Sequence, residues 1–358
     1  MNILLISPLV FPVSDSSRYV GIEYLVKEYA KELVKNHNVT ICGHADSVYA
    51  DGVQLLPTRP RVGDLFLLDE LQQYQSYQYM LRDFDVIHDF SHQHLASRFN
   101  VNLSSVNPFW HAPGWEVNQS TVPDRPIQLA GAFAKSPYNI IGLSRWACRE
   151  FKRVYRQEAK YMQSVAIDTS IYTLSKRHRG DRFLTLGIML PHKGNLEAII
   201  LCKRAGVPLD VVGGRGAGVT PDTPLTDYEQ AIQRECDGKQ IKFWGEVSHE
   251  QKLKLMQDCK ALIYVTNFPE IHSHKTAEAL LCNAPVIVPA IGAMPEIVTD
   301  GVNGFLCSSD KEYLEAIKNV TQLMPQKLYQ DVQQTYSIEN VCNNYVELYQ
   351  QVREGLRW

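Results

Sequence analysis

Two glutamates, Glu270 and Glu278, stand eight positions apart with His272, Ser273, His274 and Lys275 between them. On a helix that separation is a little over two turns, so both carboxylates project to roughly the same side. Glu270 precedes the small-residue run that reads as helical, which places it at the helix entrance and Glu278 one to two turns inside. A helix N-terminus beside cationic side chains is a site for phosphate, and carboxylates around it can accept hydrogen bonds from sugar hydroxyls. The plainer alternative is an amphipathic helix with solvated acids. Lys193, on the loop GIMLPHKGN (187–195), could reach a phosphate as a compact charge or remain a solvated loop lysine. His111, between Trp110 and Trp115, suits hydrogen bonding or proton transfer at a cleft, or packing within its loop. His92 and His94 alternate in a loop without the i, i+4 spacing of a helical metal motif, which weakens a metal reading. The glycine cluster 213–218 resembles a phosphate loop but lacks its GK[ST] ending, so it reads as a turn.

The elements that must hold these residues follow an α/β pattern. The apolar run 3–6 predicts a buried strand. A polar loop then leads to Gly21, which opens an amphipathic helix to residue 35, and 38–42 (NVTIC) returns as a strand. Further strands are predicted at 85–88, near Val106 and at 139–143, where Ser144 caps a helix over 145–156. The polar stretch 173–182 breaks with both flanks and reads as a linker. Beyond it, strands are expected at 183–186, 209–212, 241–244, 261–265 and 285–288. Helices are expected at 196–205, 227–235, 250–258 and 337–351. Such doubly wound sheets bind ligands outside the carboxyl ends of their strands.

At 358 residues the chain exceeds the ~250–300 that one core supports, so two domains are expected. A formal charge of −3 argues against a strongly nucleic-acid-steering surface. Eight scattered cysteines without a CxxC pair fit reduced thiols and a cytoplasmic setting better than a disulfide frame. The opening MNILLISPLVFPV has no basic n-region and reads as a first strand, not a signal peptide. No stretch reaches ~18 apolar residues, so no transmembrane segment is expected, and peripheral membrane contact stays open.

The stretch FPEIHSHKTAEALLCNAPVIVPAIGAMPEIVTDGVNGFLC (268–307) resembles the E-x7-E segment of family 4 retaining glycosyltransferases. Weaker matches lie at GIE (21–23), FDVIHDFS (84–91), NIIGLSRWACREF (139–151), VAIDTSIY (165–172), LGIMLPHKG (186–194) and FWGEVSHEQKLKLM (243–256). The resemblance covers nearly the whole chain. It implies the GT-B fold: two Rossmann-like parallel-sheet domains facing a central cleft, with a C-terminal helix crossing back to the N-terminal domain. The corresponding division is an acceptor domain over 1–172, a linker over 173–182, a donor domain over 183–332 and the returning helix over 333–358.

The implied activity moves a hexose from a UDP- or GDP-sugar to an acceptor hydroxyl with retention, without a metal or other cofactor. The acceptor would be a glycan, a lipid-linked molecule or a small molecule, bound by loops around 15–19, 65–79 and 109–119. In that resemblance Glu270 binds donor-sugar hydroxyls and Glu278 the ribose. Lys193 holds the diphosphate, helped by backbone amides at Ser273 to Lys275. Gly245, Glu246 and Val247 receive the base, His111 lines the sugar site, and Gly21 lets the first loop approach the sugar-phosphate. Lys193, Glu270 and His111 would be the catalytic set. The sequence departs from the family at Ile188, where an arginine is usual, and at 19–21, where paired glycines are altered. His272, His274 or Lys275 would then supply the missing cation, with Lys275 foremost. Alternatives are a catalytically weakened nucleotide- or glycan-binding protein of the same fold, a nucleotide-sugar epimerase, and a glycosyltransferase acting on nucleic acid.

Overall fold

Short apolar runs, each fully withdrawn from water, become the strands of two parallel sheets. The computed structural model describes residues 1–9, 12–14, 21–58, 66–100, 103–110, 139–172, 179–215 and 222–358. The chain divides into one unit of Met1–Ile167 with Tyr336–Trp358 and a second of Asp168–Thr335.

The first unit holds β1 (Asn2–Ile6), β2 (Asn38–His44), β3 (Gln54–Thr58), β4 (Val86–Asp89), β5 (Ser105–Pro108), β6 (Ile140–Gly142) and β7 (Lys160–Tyr161). Their order is β3-β2-β1-β4-β5-β6-β7, all parallel. Strand order reverses between β1 and β4, the place where such sheets open a crevice. Helix α1 (Ile22–Leu33) buries Leu25, Val26, Tyr29 and Ala30 against Ile3, Leu5 and Val86. The final helix, Ile338–Arg353, joins this core through Val341, Tyr345, Leu348 and Val352, the apolar face its sequence spacing defines. Tyr349 Oη lies 2.6 Å from His88 Nδ1, locking that helix to β4. Helix α2 (Phe66–Tyr77) packs Tyr77 with Leu4 and Ile6, and Gln73 donates to Ser7 O at 2.9 Å, so this stretch is sheet packing. Ser144 accepts from Ala147 N at 3.1 Å and starts α3 (Arg145–Tyr155), as its position predicts.

The second unit holds β8 (Phe183–Leu186), β9 (Leu209–Val212), β10 (Ile241–Gly245), β11 (Leu262–Ile263), β12 (Val286–Pro289) and β13 (Gly304–Cys307), in the order β10-β9-β8-β11-β12-β13. All pairs are parallel. Its site-bearing helices are α4 (Asn195–Ala205), α5 (His249–Asp258) and α6 (His274–Leu281). Arg179 donates to Cys259 O at 3.1 Å and Cys282 O at 2.6 Å, tying together the C-terminal ends of α5 and α6. Residues 173–178 of the expected linker lie outside the described residues. None of the eight cysteines is in a disulfide.

Several elements differ from the sequence expectation, three strands among them. β3 is a strand although Pro57 interrupts its pattern; it is an edge strand, where a missing N–H is tolerated. β13 forms from Gly304–Cys307, where the sequence signals only a turn. β11 is shorter than the run 261–265, because the chain leaves the ladder at Tyr264.

Candidate active site

The second sheet reverses strand order between β8 and β11, and the loops leaving those two strands carry Lys193 and Glu270. A short 3-10 turn, Pro191–Lys193, ends at Gly194 with φ +67°. A β carbon on Gly194 would fall on the carbonyl oxygen of Val265, just past β11, so only glycine lets the two loops touch. Gly292 (φ +61°) similarly lies against the backbone of Glu270, and Ala293 N donates to Glu270 O at 2.9 Å. These two approaches place the acid and the lysine together. Lys193 Nζ donates to Glu270 Oε1 at 2.7 Å, and Tyr264 Oη donates to the same oxygen at 2.5 Å. Burial alone raises the Glu270 carboxyl; Lys193 and Lys275, with the two hydrogen bonds, more than reverse that and hold it below its ordinary value.

Glu278 lies just over a turn inside α6 and is built into a separate contact. Lys252 Nζ of α5 donates to Glu278 Oε1 at 2.7 Å, and Tyr172 Oη donates to that oxygen at 2.6 Å. Burial again raises the carboxyl, and Lys252 again reverses the sign. The two acids thus sit in distinct settings, one at the helix entrance and one along its side.

The segment between them is less cationic than its sequence reads. His272 has both ring nitrogens buried, and loss of hydration pushes it well below its ordinary value, so it is a neutral imidazole. His274, more open, shifts the same way through partial loss of hydration. Neither histidine replaces a fixed positive charge: loss of hydration lowers both, far more strongly at His272 than at the exposed His274. Lys275 is the remaining cation, with Nζ 2.8 Å from Leu186 O and 3.1 Å from the centre of the Tyr264 ring. Ser273 starts α6 without a side-chain cap, its Oγ instead 2.8 Å from Thr276 Oγ1, so its side chain satisfies none of the first-turn amides.

Gly245 ends β10 and Glu246 and Val247 follow it, on the same carboxyl edge as Lys193 and Glu270. Gly213 N donates to Gly245 O at 2.9 Å, and the Glu246 carboxylate approaches the open face of Gly214. Gly21 belongs to the first unit, where it precedes α1, and a β carbon added there would meet no atom within 4 Å among the described residues. His111, the altered positions 19 and 20, and the acceptor-loop residues 15–19 and 111–119 lie outside the described residues. Of the proposed catalytic set, Lys193 and Glu270 are therefore in contact.

Sequence reasoning missed Tyr264, Lys252 and Tyr172. Tyr264 carried a usable signal, since it ends a predicted strand on the ligand-binding edge. Lys252 is one of several similar lysines, and Tyr172 reaches Glu278 across 106 positions of chain, a contact no local pattern announces.

At the corresponding edge of the first sheet, buried acids are handled differently. Glu70 of α2 accepts from the backbone amides of His92 (2.9 Å) and Gln93 (2.8 Å), fixing the loop after β4. Burial lifts it to about 8 against those hydrogen bonds. Asp89 ends β4 and is pushed up to about 6 by burial; its Oδ2 has no hydrogen-bond partner among the described residues.

Comparisons with known proteins bear on the family and the fold. Residues 173–335 match the family model described as glycosyl transferases group 1. Over 157 residues, 42% of this chain, the sequence is 29% identical to the O-antigen chain mannosyltransferase RfbU of Salmonella typhimurium, and the match spans 41% of that curated relative's length. The fold is similar to sucrose-phosphate synthase from Thermosynechococcus elongatus, with a TM-score of 0.79 at 15% identity, covering 99% of this chain and 100% of that one. It is also similar to HepE of Anabaena in complex with UDP-glucose, with a TM-score of 0.72 at 17% identity, covering 98% and 100%. The two doubly wound sheets are the GT-B architecture, and the family match supports a group 1 glycosyltransferase.

Proposed function

We propose that this protein transfers a hexose from a nucleoside-diphosphate sugar to an acceptor hydroxyl with retention of anomeric configuration, without a metal, in the manner of family 4. The observation that carries the reading is the meeting of Lys193, Glu270 and Tyr264 at the strand-order reversal of the second sheet. Departure of a nucleoside diphosphate concentrates negative charge on the leaving oxygens. A lysine and the uncapped N-terminus of α6 stabilise charge as it grows. Glu270, held ionised and oriented by Tyr264, accepts sugar hydroxyls and fixes the anomeric carbon over the diphosphate. Glu278, oriented by Tyr172 and Lys252, accepts from the ribose, while Gly245 to Val247 border the base. The leaving phosphate then takes the acceptor's proton on the face it vacates, which gives retention. By the same resemblance His111 would line the sugar site and Gly21 would let the first loop approach the sugar-phosphate. A donor with uracil or guanine, a glycan, lipid-linked or small-molecule acceptor, and a cytoplasmic location complete the proposal. No helix among the described residues is long and apolar enough to cross a membrane.

A second reading has its own observation. Ile188 offers no charge, and Lys193 is already neutralised by Glu270, which suits a protein that binds donor without turning it over. Incubation with UDP-glucose and GDP-mannose, followed by assay of released nucleoside diphosphate, separates the two. Release stimulated by acceptor sugars is expected; tight binding without release would establish the second reading.

A further inference from the structure

Lys275 differs from its neighbour Lys193 in having no carboxylate within ion-pair distance among the described residues. It sits in the first turn of α6, and its two contacts, Leu186 O and the Tyr264 ring face, are both uncharged. An ammonium carries three N–H donors, and the third has no acceptor among the described residues. The space it faces is defined by Gly187, the residue after β8. The β carbon that Gly187 lacks would stand 3.5 Å from Lys275 Nζ, 3.6 Å from Lys193 Cβ and 3.7 Å from Asn195 Oδ1. Asn195 Nδ2 donates to Gly187 O at 3.3 Å and Ile188 O at 2.9 Å, which fixes the direction of its amide. Its Oδ1 is buried and has no partner among the described residues. One glycine face therefore gathers a cation with a spare donor and an amide with a spare acceptor. A ligand that satisfies both carries an anionic oxygen beside a hydroxyl.

We propose that Lys275 is a second diphosphate cation in this chain and that, with Asn195, it reads the junction of terminal phosphate and sugar at the open face of Gly187. The assignment rests on the nucleotide-sugar reading above and deepens it. Loss of hydration lowers Lys275 to about 7, with Glu270 opposing and Lys193 adding to the shift. The other titratable groups facing it are Tyr264 and His192, the first raised and the second lowered by burial. A diphosphate beside Lys275 favours its charged form. Donor affinity is then full below about pH 7 and falls as pH rises, and binding above that point takes up a proton.

Calorimetric titration of the full chain with UDP-glucose and GDP-mannose tests this at about pH 6.5 and about pH 8.5, in buffers of differing ionisation enthalpy. The diphosphate of either sugar does not titrate in that interval. Affinity should fall about tenfold between the two values, with uptake of about one proton at the higher. Lys275→Met should weaken binding about tenfold at the lower pH and abolish the proton uptake, while Lys275→Arg keeps the affinity and loses the pH dependence. Thermal melting of Lys275→Met no lower than wild type confirms that it folds. Unchanged affinity and unchanged proton uptake in Lys275→Met, with binding lost in Lys193→Ala, would overturn the Lys275 assignment and leave the donor reading standing. Binding of neither sugar to the wild type, or no effect of Lys193→Ala, would sink the donor reading and the assignment with it.

Discussion

Glu70 and Asp89 in the first unit, and Glu270 and Glu278 in the second, are all withdrawn from most of the surrounding water at the carboxyl edges of parallel sheets. Their charge states diverge. In the first unit hydrogen bonds from backbone amides hold Glu70, yet burial wins and lifts it to about 8. In the second unit each acid has a lysine at 2.7 Å, and the lysine wins. One architecture thus yields two chemistries. An edge of acids raised by burial positions loops, whereas an edge of ion pairs is suited to exchange partners with a charged ligand. Desolvation is common to both; Arg98 opposes it at Glu70 and Asp89 without reversing it, whereas a lysine at 2.7 Å reverses it at Glu270 and Glu278.

The sharpest break of this comparison is Lys193→Ala. It removes the cation nearest the departing charge and leaves Glu270 without its ion pair, so turnover should fall by about 100-fold or more in a nucleotide-release assay. Next comes Gly194→Ala, which forces a β carbon onto Val265 O in a left-handed conformation. A loss of about 3 kcal/mol or more in denaturant unfolding is expected, with donor binding lost as the Lys193 loop moves. Tyr172→Phe removes one of the two donors to Glu278 while leaving Lys252 in place. Nucleotide affinity should weaken about threefold, roughly one neutral hydrogen bond's net worth, with the sugar-dependent rate unchanged.

The smallest effect tests the first unit. A carboxyl raised on folding contributes stability that is present below its unfolded value, about 4.3, and is lost as pH rises through the folded value of about 8. Melting temperature should therefore decline across that window in the wild type and decline less in Glu70→Gln. An identical slope in both proteins would show that Glu70 is ionised and that the contrast between the units is false.

Much of this frame is legible in the sequence because strands buried on both faces must be continuous apolar runs. The caps at Ser144 and Ser248 are equally local, each accepting from an amide three residues on. That Lys193 and Glu270 belong to one site comes only through resemblance, since 77 positions separate them, and their ion pair is unexpected. Burial decided what composition could not. His272 and Lys275 both read as cations in sequence, but the first is neutral and the second is lowered to about 7. No strand is expected over 54–58 or 304–307, yet both form as edge strands, where Pro57 and Gly304 are tolerated.

The central claim is that the Lys193–Glu270 pair marks the seat of a nucleoside-diphosphate sugar. Thermal melting of wild-type and Lys193→Met protein with UDP-glucose and GDP-mannose tests it directly, because a ligand that binds only the folded state stabilises it by mass action. One donor should raise the wild-type melting temperature by several degrees and leave Lys193→Met nearly unmoved. Equal shifts in both proteins, or no shift with either donor, would contradict it.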